Sequence, residues 1–467
     1  MTHPSASYSV TLRCEIQNHP GMLGRVMSAI GEEGGDIGAV DMVTVNAKVV
    51  VRDIVVDTCG EAHGEAIARR VSLIDGVRVL SWSDRTFRVH EGGKIALAPR
   101  VPVKTRDDLS MVYTPGVGRV CQAIAADPSR VYSLTAKGNM VAVVTDGSAV
   151  LGLGNIGPEA SLPVMEGKCV LFKELAGVDA FPIALATQDV ERIVDAVAAL
   201  ATGFGGINLE DIASPRCFAV EPRLQELLDI PVFHDDQHGT AVVIMAGLLN
   251  ALKLVGKPIS EVKVVVAGAG AAGVATVRIL RSAGAKQIIC CDRQGALYAG
   301  RPGMNAFKEE VAAGTNPDRL RGGVAEVLRG ADVFVGVSSP DLIGAAEVQT
   351  MAKEPIVFAL ANPVPEVQPE EIEGLAAVIA TGRSDYPNQI NNALAFPGIF
   401  RGALDCRARR INEAMKRAAA EAIAGCIAGE ELSAEHVVPG IFSKRVVADV
   451  AAAVRQAAQA SGVARLE

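Results

Sequence analysis

Residues 8–16 alternate apolar and polar positions, which predicts a strand, and the Asn18-His19-Pro20-Gly21 turn leads into an apolar helical period over 22–30. Residues 36–45 and 48–56 alternate again on either side of Asn46-Ala47, predicting a hairpin, and a helix over 62–73 and a strand over 77–83 follow. The order βαββαβ is that of a ferredoxin-like unit. Residues 84–94 are polar and contain glycine, predicting a connector. Beyond it the chain becomes a succession of short apolar strands and helices. A strand over 140–145 ends in Asp146-Gly147-Ser148, and Lys168 reads as the residue leading into another apolar strand. A helix is predicted over 190–201. Two β-rich runs follow, one ending in Glu210-Asp211 and the other in Asp235-Asp236. The next helix is predicted over 239–254, stopping at Gly256-Lys257-Pro258; a strand over 261–267, a helix to 282 and a strand over 288–291 come after it. Strands at 333–337 and 356–360 extend a parallel sheet, and alanine-rich helices close the chain. The expected fold is α/β, with domains at 7–85, 95–247 and 248–467.

Composition narrows this. The chain has 467 residues, 49% of them hydrophobic but only 4% aromatic, with 47 glycines, a balance that suits several α/β units and argues against binding by aromatic stacking. The formal charge of −8, without a block of lysine or arginine, argues against nucleic acid or an anionic membrane as the partner. Nine cysteines without a C-x-x-C pair read as reduced thiols. No apolar run is long enough to span a bilayer and no secretory leader is evident, so a cytoplasmic protein is expected.

Two stretches carry chemistry. Adjacent strand ends would bring the Glu210-Asp211 and Asp235-Asp236 carboxylates together, and an oxygen-rich cluster without cysteine suits Mg²⁺ or Mn²⁺. Acidic pairs at strand ends are usually solvated, so spacing alone does not decide the matter. His234 and His238 flank the acids, but an oxygen-rich site needs no imidazole. The second stretch is Gly268-Ala269-Gly270-Ala271-Ala272-Gly273. It follows a strand, opens a helix and precedes a strand ending in Asp292, which is the dinucleotide-binding pattern of a Rossmann-type domain. The glycines admit a pyrophosphate to the helix N-terminus, and Asp292 can accept from a ribose 2′-hydroxyl, favouring NAD. Arg293 next to it could meet a 2′-phosphate and leaves NADP open. Ser338 and Asn362 stand at the C-terminal ends of later strands, where ligands lie in such sheets.

Residues 7–85, with Asn18-His19-Pro20-Gly21-Met22-Leu23 at the ligand-side turn, resemble the ACT regulatory domain. The resemblance implies a small-molecule sensor, often for amino acids, that dimerises through its sheets, with Asn18, Gly21, Met22 and Leu23 at the effector site. From about 95 to 460 the chain is similar to the malic enzymes of the short prokaryotic type. The motifs are Tyr113-Thr114-Pro115-Gly116-Val117, Thr145-Asp146-Gly147-Ser148, Leu151-Gly152-Leu153-Gly154-Asn155-Ile156-Gly157, Glu166-Gly167-Lys168, Asn208-Leu209-Glu210-Asp211, His234 to Thr240, Ala359-Leu360-Ala361-Asn362-Pro363 and Asn391-Asn392. This resemblance implies oxidative decarboxylation of L-malate to pyruvate and CO₂, with NAD or NADP and Mg²⁺ or Mn²⁺, in a homodimer or larger homo-oligomer. It further implies Glu210, Asp211 and Asp236 as metal ligands, Lys168 as general base and Tyr113 as general acid. Asp235 becomes an assisting carboxylate, and Asn362 and Asn392 substrate-contacting amides. One departure stands out: larger malic enzymes hold a substrate carboxylate with an arginine before Leu-Gly-Leu-Gly, where this chain has Ser148-Ala149-Val150. Backbone amides over 152–157, or a residue of a partner subunit, are the expected substitutes. The rival readings are a malolactic reaction with retained NAD and a non-catalytic metabolite sensor.

Overall fold

The computed structural model describes residues 4–466. The chain divides into two compact units, Met1–Leu97 and Ala98–Glu467. In the first, strands β1 (Ser5–Gln17), β2 (Asp36–Val45), β3 (Val49–Thr58) and β4 (Val77–Asp84) form an antiparallel sheet in the order β2-β3-β1-β4. The Met22–Glu32 and Glu61–Ser72 helices cover one face, where Leu12, Ile16, Ile54 and Val56 meet Val26, Ile30, Ile67 and Val71 in a single core. This is the expected βαββαβ arrangement. Within the polar stretch read as a connector, Arg85–His90 is helical, because Asp84 accepts from the Thr86 and Phe87 amides and caps it.

The second unit contains two parallel sheets. The first runs β6 (Asp179–Ala184), β5 (Met140–Thr145), β7 (Gly206–Leu209), β8 (Val232–His234). The other has the order β11 (Gly295–Ala296), β10 (Gln287–Asp292), β9 (Lys263–Ala267), β12 (Val333–Gly336), β13 (Ile356–Ala359), β14 (Val378–Thr381) and is parallel except at β11. The chain starts at β9 in the middle, builds outward through β10, then returns to β12. That reversal creates the crevice in which Rossmann-type domains hold dinucleotides. Central strands are buried on both faces, so they read as continuous apolar runs such as Val264-Val265-Val266-Ala267.

Two local readings change. Lys168 does not precede a strand; it lies inside the Pro158–Ala176 helix. Ser161, Met165, Lys168, Cys169 and Phe172 are the buried positions, a helical period that the short run Cys169-Val170-Leu171-Phe172 conceals. The helix expected from Gly239 begins four residues earlier and spans Asp235–Leu254. The acidic pair therefore belongs to its first turn, where the free N–H groups favour negative charge. That helix continues through residue 247 into the second sheet's half of the unit, with 15 residues buried. Among the described residues no helix is long and apolar enough to cross a membrane.

Candidate active site

β7 and β8 are hydrogen-bonded neighbours, and their C-terminal ends bring the two acidic pairs together. Glu210, Asp211 and Asp236 each offer an oxygen within 4.8 Å of the others. Asp211 adopts a left-handed backbone with φ 55°, and its amide donates to Asp236 Oδ2 at 2.7 Å, which fixes the approach of the two strands' acids. Glu210 is steadied by Asn208, whose side-chain amide donates to Oε2 at 2.8 Å.

Lys168 reaches this cluster from the Pro158–Ala176 helix. It is 7% exposed, with Nζ 2.5 Å from Asp235 Oδ2 and 2.9 Å from Glu210 Oε1, over the Phe396 ring. Burial works against its charge, but Asp235 and Glu210 outweigh that and hold the ammonium well above the usual lysine range. The carboxylates show the converse. Burial pushes Glu210 and Asp235 up to about 7 against the pull of Lys168, and Asp236 up to about 6. Asp211, buried and beside Asp236 and Glu210, rises to about 9. Three buried acids and the half-buried Asp236 share one buried cation. Asp211 Oδ2 and Asp235 Oδ1 have no hydrogen-bond partner. Excess negative charge and an orphaned oxygen within a compact all-oxygen cluster fit a divalent cation, held by Glu210, Asp211 and Asp236.

A cavity of about 610 Å³ connects this cluster to the second sheet. Asp236 and Thr240 form one wall, Ala149, Leu151 and Gly152 another, and Asn362, Asn391 and Asn392 a third. Ala271, Ala272 and Ser338 complete it, so the start of the dinucleotide helix faces the carboxylates across a single space. Asn362 is closely confined: a Cβ on Gly152 would lie 2.7 Å from its carbonyl oxygen and one on Gly382 2.8 Å from its amide nitrogen. A second cavity, about 560 Å³, is walled by Gly268, Gly270, Asp292, Arg293 and Ser338. Gly268 has φ +121° and no room for a Cβ against the Val337 carbonyl, and a Cβ on Gly273 would strike the Gly268 carbonyl. Gly270 faces open space, as a turn that receives a pyrophosphate requires.

Residues 92–225 match the model of the malic enzyme N-terminal domain and residues 237–459 that of the malic enzyme NAD-binding domain. The chain belongs to the malic enzyme family. The NAD-dependent malic enzyme of Geobacillus stearothermophilus is 55% identical over 460 residues, 98% of this chain and 96% of that protein. The bifunctional malic/malolactic enzyme of Bacillus subtilis is 59% identical over 391 residues, 83% of this chain and 95% of that protein. The crystal structure of a malic enzyme from Pyrococcus horikoshii superposes with a TM-score of 0.79 at 50% identity, covering 82% of this chain and 92% of that one. As a malic enzyme, this chain oxidises and decarboxylates malate with a nicotinamide cofactor.

Of the expected catalytic and metal-binding residues, Lys168, Glu210, Asp211, Asp235 and Asp236 are thus brought together, with Asn362 and Asn392 on the cavity that Asp236 lines; Tyr113 is not. Tyr113 follows the Arg106–Val112 helix, is 68% exposed, and lies on the wall of neither cavity. Its whole surrounding stretch, residues 98–140, buries no side chain. In the N-terminal unit, Asn18 donates from its side chain to the Asn46 carbonyl at 2.8 Å, Gly21 has φ 87°, Met22 is buried and Leu23 packs on the core. Among the described residues no imidazole joins the acidic cluster: His238 pairs with Glu221 at 2.8 Å, and buried His234, neither of whose ring nitrogens has a hydrogen-bond partner, stands with Nδ1 3.8 Å from Asp236 Oδ2. Sequence reasoning missed the support of the Asp211 turn. Buried Ser148 donates to Asp146 at 2.5 Å and accepts from the Ala213 amide at 2.9 Å, while the Ala149 amide donates to the Asp211 carbonyl. The signal was present in Asp146-Gly147-Ser148, an Asx-type turn. Its target 65 residues later was not.

Proposed function

We propose that the side chains of the 610 Å³ cleft and of the carboxylate–lysine cluster that meets it at Asp236 divide the malate reaction as follows. Asn362 and Asn392 hold the substrate's carboxylates, aided by backbone amides around Gly152, which lines the same cavity and stands in for the arginine of larger malic enzymes. Lys168 removes the proton from the C2 hydroxyl. It is held charged by Asp235 and Glu210 when the carboxylates are uncompensated; once their charge is balanced, burial, the strongest single influence on it, favours the neutral amine that a base requires. Asp235 lies 2.5 Å from Nζ and outside the three-carboxylate cluster, so it orients the lysine and relays its proton. When bound at Glu210, Asp211 and Asp236, Mg²⁺ or Mn²⁺ supplies electrophilic stabilisation for the negative charge that departing CO₂ leaves behind. Gly268, Gly270, Ala271, Ala272 and Gly273 would hold NAD, with Asp292 and Arg293 toward its ribose and Ser338 toward its nicotinamide, and the bound cofactor would supply the hydride acceptor.

Tyr113 is assigned to protonate C3. Its exposure implies that the stretch 98–140, which presents Val101, Val103, Leu109, Met111 and Tyr113 to solvent, closes over a cleft in the assembled enzyme. We assign a homodimer or larger homo-oligomer on this ground, with apolar side chains too numerous for a solvated arm covered by a second copy. The N-terminal unit is assigned as an ACT-type sensor of an amino acid or similar small effector at Asn18, Gly21, Met22 and Leu23. The turn there is held to the β2–β3 hairpin by the Asn18 bond to Asn46, so an occupant would act on a fixed structure.

The observation that carries the catalytic reading is a buried lysine amine in contact with two carboxylates, next to an orphaned third. The test is malate turnover with Mn²⁺ and NAD. Equal formation of NADH and pyruvate is expected, and Lys168→Ala should reduce kcat by about 10²–10⁴-fold, the usual contribution of a positioned base. Lactate without net NADH would favour the malolactic reading, and full turnover in the variant would overturn the assignment of Lys168.

A further inference from the structure

One buried carboxylate stands apart from the metal cluster. Glu366 is 0% exposed, yet it lines neither cavity. Its carboxylate sits where the ladder between β12 and β13 runs out at the Gly336–Ala359 pair. Oε1 accepts from the Ser338 amide at 2.8 Å and Oε2 from the Ala361 amide at 3.0 Å, so one side chain spans the ends of both strands. Burial pushes its carboxyl up, and the Ala361 and Ser338 amides pull against that. Glu366 is itself anchored from behind, where its backbone carbonyl accepts from the Leu342 and Ile343 amides at 2.7 and 3.1 Å. Gly336 makes the room, since a Cβ there would strike the Glu366 carboxyl.

The two peptides that Glu366 holds are trans, so their carbonyls point away from it. The Val337 carbonyl packs on Gly268, the first glycine of the dinucleotide turn. The Leu360 carbonyl lies 3.0 Å from the place of a Cβ on Gly382, the glycine that also confines the Asn362 amide. Ser338 lines both cavities, and Asn362, next to Ala361, lines the larger. We propose that Glu366 is a positioning residue that fixes the nicotinamide side of the cofactor site against the substrate amide, and so sets the path of the hydride from malate C2. It acts through Ser338 and Asn362. This rests on reading Ser338 as facing the nicotinamide and Asn362 as facing malate.

The test is Glu366→Gln in the full chain. The substitution keeps the shape but exchanges one accepting oxygen for a donor NH₂, so only one of the two amides stays bonded. With malate, Mn²⁺ and NAD, kcat should fall about 10–100-fold, the scale of an ångström misplacement, and the isotope effect with malate deuterated at C2 should rise as hydride transfer becomes limiting. The calorimetric Kd for NAD should meanwhile stay within about threefold of wild type, a change well under one power of ten, and the melting temperature should hold. Gly336→Ala, which displaces the same carboxyl from outside, should reproduce the slower hydride step. Unchanged kcat in both variants, or NAD affinity and melting temperature lost in step with kcat, would overturn the role of Glu366. Asn362→Ala without effect on kcat or on KM for malate would instead overturn the reading of the cleft beneath it.

Discussion

Gly239 shows how little freedom the catalytic side chains have. A Cβ at this position would collide with Asp235 Oδ1 and come within 3.2 Å of the Asn392 Cβ. Gly239→Ala is expected to push Asp235 away from Lys168 and to lower kcat by roughly 10²-fold, the cost of a misplacement on the ångström scale, with the fold retained by circular dichroism; undiminished turnover would refute the pairing. The neighbouring carboxylates give a second prediction. Their values of about 7 for Glu210, 9 for Asp211 and 6 for Asp236 lie above those of an unfolded chain. Acids raised in this way stabilise the fold while protonated, and that contribution is lost as pH rises through the folded values. Cation-free protein should therefore melt at progressively lower temperature as pH climbs from 6 to 9, and Mn²⁺ should recover more stability at pH 9 than at pH 6. A flat cation-free profile would contradict the acidic cluster. At this scale the sequence revealed residue types but not their partners. Lys168 stood beside a recognisable motif, yet its contacts are 42 and 67 residues away in chain order, to Glu210 and Asp235. Arg301 and Lys308 carried no signal at all, since only the fold brings them to Asp292.

Elements were legible where their period was long or their turn chemistry explicit. The β9 strand, glycine turn and following helix were read correctly because each glycine has a distinct steric reason. Gly273 is the most demanding, pressed against the Gly268 carbonyl. Gly273→Ala should separate the Ala271–Ser282 helix from β9, weaken NAD binding, and lower the melting temperature; calorimetric titration with NAD and a thermal melt check both, and unaltered values would remove the close-packing argument. The edge strands β6 and β14 escaped notice. β6 carries Pro182, which a ladder tolerates at a sheet edge, and β14 has only four residues. Lys168 was misplaced for a related reason: four apolar residues in succession fit either element, and only the wider spacing back to Ser161 distinguishes a helix.

For the whole molecule, the contact boundary after Leu97 agrees with a family match that begins at residue 92. The Bacillus subtilis relative, aligned over 391 residues, spends 95% of its own length on that match, so the larger unit has a counterpart of nearly its own size. Removal of residues 1–97 is expected to leave malate oxidation intact and to abolish any response to amino acids; loss of turnover would make the first unit part of the catalytic structure. The exposed Tyr113 invites a mixing experiment. If the stretch around it completes the site of a second copy, inactive Tyr113→Phe and Lys168→Ala chains should regain turnover when refolded together, and no recovery would confine the tyrosine to its own chain. One element joins these levels. The Asp235–Leu254 helix carries a cleft wall at its first turn and is buried along most of the remainder. It behaves as a keyed shaft: a single residue inserted near Gly239 would turn the acidic end by about 100° against a body that cannot rotate. Length in this segment should thus be a stricter requirement than identity, and substitutions should be survivable where even the smallest insertion is not.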